Sequence, residues 1–262
     1  MSCDDIKIYV SVDFEGGACL VGEPEQTLTA SKQYEFARKV MTGEANAAAR
    51  GAYDAGCSEV VIRDAHGAGL NLLYDELDER VKVVLGVPAP RRFPGLDESF
   101  SGVFLIGYHP MAGAEGGVLS HTYSSKAVQN MWLNGRRIGE IGFDAALCGS
   151  LGVPVIMVSS CEAGVKEAHD FLGEIETVAT KIGYSRNCAM SLTPSAARQR
   201  IRSAAKRAVE TVDGSEPYVV PGPYELKREF KYESQAARAR PPFTRVDPRT
   251  VAGRSENLFD LI

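Results

Sequence analysis

Apolar residues recur along this chain in two periods, and the switches between them outline its architecture. Ile8 to Val12 is a short apolar run, broken only by Ser11, and it stops at Asp13-Phe14-Glu15-Gly16-Gly17. Such a run predicts a strand that ends at two acids and a turn. Strand side chains alternate, so Asp13 and Glu15 share a face roughly 7 Å apart. Ser31 to Val40 and Glu44 to Ala55 have helical spacing and predict two helices, the second with Ala45, Ala48, Ala49 and Ala52 on one side and Gly56 at its end. Glu59 to Ile62 is β-branched and closes a strand–helix–strand unit, which implies parallel pairing with the first strand.

Helical spacing over Leu70 to Glu79 and an apolar run over Val81 to Leu85 follow. Gly102 to Gly107 is almost wholly apolar, as expected of a strand buried on both faces, and it ends in Tyr108-His109. A glycine-rich loop over Pro110 to Gly117, flexible by composition, leads to Leu119-Ser120-His121. Asn134-Gly135 between Val128–Leu133 and Arg136–Ile138 predicts a type I′ hairpin, and Gly139-Glu140 opens a helix to about Cys148. Val153 to Val158 predicts another buried strand, Val165 to Leu172 a helix, and Glu176 to Ile182 a short apolar run. Thr193-Pro194 starts a helix that Gly214 ends. Proline-rich turns, one alternating strand over Tyr224 to Tyr232 and a helical pattern from Ser255 complete the chain.

The fold class that emerges is α/β, a largely parallel sheet flanked by helices, with a smaller α+β C-terminal lobe. A soft boundary near Gly183 divides an α/β metal-binding domain (1–183) from that lobe (184–262), and the hairpin region 118–140 is expected to pack with the lobe.

Composition narrows the function. With 262 residues and a net charge of −5, the chain can bury a sizeable core and is a poor binder of nucleic acid. Arg198 to Arg207 reads as the solvated face of a helix whose inner face is Ala197, Ile201, Ala204, Ala205 and Ala208. No apolar run approaches the length of a membrane span, and the N-terminus lacks the features of a signal peptide. Six scattered cysteines without a Cys-x-x-Cys pair read as free thiols, and the expected location is the cytoplasm.

Three of the four histidines, His66, His109 and His121, fall at strand ends or just beyond, whereas His169 lies inside a helix. Functional groups in a parallel sheet gather outside the carboxyl ends of its strands. Asp13, Glu15, His66, His109 and Glu140 would therefore converge, and imidazoles mixed with carboxylates suit zinc, manganese or iron. No Gly-x-Gly-x-x-Gly follows the first strand, which argues against a dinucleotide fold.

The segments Ser11-Val12-Asp13-Phe14-Glu15-Gly16, Asp64-Ala65-His66, Gly107-Tyr108-His109, Leu119-Ser120-His121 and Gly139-Glu140-Ile141-Gly142 resemble, in order and spacing, the zinc D-aminopeptidase family. The resemblance implies a two-zinc site in which Asp13 bridges the metals and Glu15, His66, His109 and Glu140 complete the coordination. It implies that His121 is the catalytic histidine, that water activated by two zinc ions per chain hydrolyses short peptides of the D-alanyl-D-alanine type, and that the chain forms a homodecamer. Glu115 is a further candidate, as an anchor for the substrate's amino group. Ser160-Cys161-Glu162 departs from the adjacent aspartates expected after Val158. A two-metal hydrolase of another amide or a phosphoester, and a non-catalytic metal-stabilised assembly protein, are the alternatives.

Overall fold

The computed structural model describes residues 6–262. In chain order its elements are β1 (Lys7–Val12), α1 (Tyr34–Asp54), β2 (Glu59–Asp64), β3 (Lys82–Val84), β4 (Gly102–Ile106), β5 (Val128–Leu133), β6 (Arg136–Arg137), α2 (Glu140–Ser150), β7 (Val155–Cys161) and α3 (Glu162–Leu172). There follow β8 (Glu176–Ser185), β9 (Cys188–Ser191), α4 (Pro194–Glu210), β10 (Tyr224–Phe230), α5 (Glu233–Ala236), β11 (Phe243–Arg245) and β12 (Thr250–Ser255). Seven strands form one sheet in the order β3-β2-β1-β4-β7-β8-β9, parallel except for the β8–β9 hairpin. A second, antiparallel sheet has the order β11-β12-β10-β5-β6.

The central strands carry the sequence logic. β4, Gly-Val-Phe-Leu-Ile, is buried along its whole length between β1 and β7, so both faces of the pleat take apolar side chains. Chain direction across the sheet reverses between β1 and β4, because β2 and β3 lie to one side of β1 while β4, β7 and β8 lie to the other. That reversal opens a crevice at the carboxyl ends of β1 and β4. The backbones abut there: a Cβ on Gly16 would lie 1.9 Å from the Tyr108 carbonyl oxygen, and one on Gly107, at φ +71°, would lie 2.3 Å from that of Asp13. Only glycine permits this approach.

One helix, α1, replaces the two expected between Ser31 and Ala55, and it runs through Met41-Thr42-Gly43 without a break. Glycine serves a helix crossing here, since a Cβ on Gly51 would meet the Arg202 carbonyl oxygen at 2.3 Å, and α4 packs along α1. Ala45, Ala48 and Ala52 are fully buried, as are Ala197, Ile201, Ala204 and Ala205 on the expected inner face of α4.

The helix expected over Leu70 to Glu79 shrinks to one 3-10 turn, Tyr74–Glu76. The Asp64 carboxylate accepts from the backbone N–H groups of Asn71 (2.5 Å) and Leu72 (2.8 Å), while the Asn46 side chain bonds Glu76 and Asp78. Side chains have taken the donors that a helix would need. The helical pattern from Ser255 is likewise replaced: Ser255 ends β12, and only Leu258–Leu261 forms a 3-10 turn.

Asn134 and Gly135 adopt positive φ, 48° and 82°, between β5 and β6, as the hairpin signal requires. β5 and β6 cross to the second sheet, whereas β9 and α4 complete the first sheet and its helical layer. Gly183 lies within β8. Among the described residues Cys19, Cys57, Cys148, Cys161 and Cys188 are unpaired; Cys3 lies outside them. No helix among the described residues is long and apolar enough to cross a membrane.

Candidate metal centre

The crevice gathers all six residues expected of it. Asp13 and Glu15 follow β1, His66 follows β2, His109 follows β4, His121 comes from the loop beyond, and Glu140 is the first residue of α2. They form two clusters, Asp13–Glu15–His66 and His109–His121–Glu140, each with one ligand atom per residue lying within 4.8 Å of the others. Asp13 joins the clusters. Its Oδ1 lies 2.9 Å from His66 Nδ1, and its Oδ2 lies 3.5 Å from His109 Nε2. His66 Nδ1 also faces Glu15 Oε2 at 3.2 Å, and His109 Nε2 faces Glu140 Oε1 at 3.1 Å.

The ring tautomers follow from fixed acceptors. A carbonyl oxygen only accepts, so His109 Nδ1 donates to Pro110 O (3.1 Å) and His121 Nδ1 donates to Leu119 O (2.8 Å). In the neutral form each ring thus carries its lone pair at Nε2. The two rings stack with centroids 3.9 Å apart, and His66 stacks on Phe14.

Buried lone pairs then face buried anions. His109 Nε2, 3.1 Å from Glu140 Oε1, and Glu15 Oε2, 3.2 Å from His66 Nδ1, are each buried without a hydrogen-bond partner. Two electron-rich atoms held in contact need a cation between them, whether a proton or a metal. The protonation equilibria express the same need. Burial disfavours charge on His109, but Glu140, Asp13 and Glu15 outweigh it and raise its pKa to about 10. His66 is raised well above its ordinary value, burial being outweighed by Glu15 and Asp13.

The acids answer in kind. Burial raises Glu140 and Glu15, but the histidines dominate, holding Glu140 at about 2 and Glu15 well below the carboxylate range. Burial and the neighbouring Glu15 instead raise Asp13. His121 differs from its fellow histidines: burial and the adjacent His109 lower its pKa, which keeps it neutral and basic at Nε2. This donor set fits a borderline divalent ion such as zinc.

A second layer of residues, which the sequence reading missed, holds the candidate ligands in place. Lys181 of β8 is buried and donates to the carbonyl oxygens of Glu15, Gly17 and Leu20, each at 2.6 Å. Glu44 of α1, also buried, accepts from Ala18 N at 2.9 Å. Lys181 and Glu44 together fix the turn that carries Glu15. On the other side, Asp144 accepts from Tyr108 Oη (2.7 Å), Tyr123 Oη (2.9 Å) and Arg92 (2.7 Å), and the Arg92 guanidinium lies 3.9 Å from Glu140. Tyr123 N donates to Glu140 Oε1 at 2.6 Å. Asp144 stands one helical turn after Glu140, and that spacing was a legible signal.

The glycine-rich loop is tethered rather than free: Met111 N donates to Glu167, Ala112 N to Thr122 Oγ1, and Arg137 to Ala112 O. Glu115 is exposed and lines neither cavity at the centre, because the turns around it carry it outward. At the departure Ser160-Cys161-Glu162, Ser160 Oγ donates to Tyr108 O (2.6 Å), next to His109. His169, on α3, bonds Gly173 O and Thr177 of β8, apart from the centre.

A family model described as D-aminopeptidase matches residues 6–262. A D-aminopeptidase of Bacillus subtilis is 33% identical over 234 residues, covering 88% of this chain and 84% of that protein. A solved structure of the zinc-dependent D-aminopeptidase DppA of Bacillus subtilis, described as a self-compartmentalizing protease, superposes with a TM-score of 0.91 at 30% identity, over 97% of this chain and 93% of the other.

Proposed function

The chain belongs to the D-aminopeptidase family, and from that premise we propose that it is a two-zinc aminopeptidase cleaving short peptides of the D-alanyl-D-alanine type. The observation that carries this reading is Asp13, whose two oxygens each face a different histidine across the junction of two donor clusters. Asp13, Glu15 and His66 would hold one ion, and Asp13, His109 and Glu140 the other. Bound zinc supplies a Lewis acid for the peptide carbonyl and a water of near-neutral pKa.

The remaining work falls to the chain. His121 Nε2, with Nδ1 tied to Leu119 O, accepts the proton of the attacking water and passes it to the leaving amine. Its neutrality suits it to take that proton, and its stacking on His109 keeps it in place. The relative's description as self-compartmentalizing supports a homo-oligomer, and we read this chain as assembling likewise, as a decamer in the cytoplasm.

Zinc content per chain, measured beside D-alanyl-D-alanine hydrolysis, tests the reading. About two ions, with turnover lost on chelation and restored by zinc, is the expected result. One ion removes the bridging role of Asp13, and protein that retains no zinc overturns the metal assignment.

A further inference from the structure

The crevice does not end at the candidate ligands. Its inner cavity, about 400 Å³, is lined by Asp13, Glu15, Glu140 and Arg92, the last with its guanidinium committed to Asp144. An outer cavity of about 760 Å³ shares Thr27, His121, Ser125 and Lys126 with it, so the two form one depression divided at His121. The outer part has the opposite charge: Lys126, Arg186 and Lys231 line it against the single acid Glu25.

Two of these cations are aimed by the backbone. Arg186, in the β8–β9 turn, donates through Nη1 to the carbonyl oxygen of Ser120, the neighbour of His121. Lys231 donates to Ser125 O at 2.6 Å. Lys126 makes no ion pair among the described residues, and neither does Arg186.

We propose that Lys126 and Arg186 form a subsite for the free carboxylate of the substrate, which would make the enzyme selective for very short peptides with an unblocked C-terminus. The inference rests on the aminopeptidase reading and names what the far end of that site recognises. A short peptide is a dipole, with an ammonium at one end and a carboxylate at the other. With zinc held on the inner side of His121 by the acids there, the scissile amide is fixed on that side, and Lys126 and Arg186 line the outer side, so only the carboxylate end of the dipole matches it. In a dipeptide the carboxylate lies one residue past the scissile amide, on the order of 3.5 Å along an extended chain. That step carries it across His121 into the basic cavity. Each further residue moves the carboxylate away by the same increment, so affinity for the free acid should fall with length.

The experiment compares KM for D-alanyl-D-alanine with KM for D-alanyl-D-alaninamide, which lacks only the terminal charge, in the zinc-loaded wild type and in the double variant K126Q/R186Q. A charge-assisted contact should make KM for the amide about tenfold higher in the wild type. That ratio should shrink as salt screens the exposed cations, and it should collapse toward one in the double variant. Equal KM values in the wild type, or a ratio that survives the double substitution, would overturn the subsite while leaving the aminopeptidase intact. Failure to cleave either compound would overturn the aminopeptidase reading and the subsite with it. Both side chains are exposed, so glutamine at these positions leaves the core untouched.

Discussion

Asp13, Glu15 and His66 issue from the ends of two adjacent parallel strands, whereas His109, His121 and Glu140 come from a strand end, a loop and the first residue of a helix. The first cluster is held by the sheet itself, since β1 and β2 pair in register up to Val12 and Asp64, immediately before the ligands. A clamp beneath it, Lys181 and Glu44, fixes only the turn after β1. The second cluster has no such frame and is tied by a polar network, Asp144 with Arg92, Tyr108 and Tyr123. Only the second contains a histidine kept neutral by its surroundings. On the proposed reading, one half is built for holding a cation, while the other also keeps a free base beside its candidate ligands.

The largest effect expected from breaking this division comes at the residue both halves share. Asp13→Ala should release both zinc ions and lower turnover about a thousandfold or more, the scale of the several kcal/mol a Lewis acid contributes. Glu15→Ala and Glu140→Ala should each cost one ion, and elemental analysis of the three variants reads the difference. Equal stoichiometry in all three would mean that the halves do not bind separately. Next in size is His121→Ala, expected to keep its zinc while kcat falls about 10²- to 10⁴-fold. If zinc is lost along with turnover, His121 is a ligand and the asymmetry between the halves disappears.

The strand-borne half was the more legible in sequence. Apolar runs that stop at Asp13 and His66 announce their own carboxyl ends, and a parallel sheet must bring such ends together; in the other half only His109 follows a strand in this way. Lys181 illustrates what remained hidden. It sits in an ordinary strand, Glu176 to Ser185, and nothing in its neighbours reveals that three carbonyls from a turn more than 160 residues earlier surround it. Contacts of that separation leave no periodicity to read. The failed helix at Leu70 to Glu79 has the same cause, because its spacing was helical but Asp64 and Asn46 had already claimed its backbone.

Lys181→Met sharpens the comparison at the next level. Methionine fills the space but leaves three carbonyls without their donor, so the turn carrying Glu15 should loosen. Zinc affinity of the first cluster should weaken about 10- to 100-fold, the usual cost of losing a residue that orients a ligand. The second cluster should be spared. Competition with a graded chelator would show one weakened and one unchanged binding step, and uniform weakening would assign Lys181 to general stability instead.

The smallest effect is the pH response, and its sign follows from the same contrast. Without metal, His109 has a pKa of about 10 and His66 is raised well above 6.5, so both rings are protonated at neutral pH. Zinc must displace those protons, hence its affinity should rise with pH across the neutral range and its binding should release protons. Calorimetry in buffers of different ionisation enthalpy detects that release, and a heat independent of buffer would refute it. The linkage to folding runs the opposite way. The folded pKa of His109 exceeds its unfolded value near 6.5, so in metal-free protein its stabilisation is fully present below pH 6.5 and fades as pH rises toward 10. Glu140, depressed to about 2, stabilises above its unfolded value of 4.5 and loses that contribution as pH falls toward 2. Metal-free protein should therefore unfold more readily from pH 7 to 10, and zinc should remove that dependence, since the ion then occupies the place of the His109 proton.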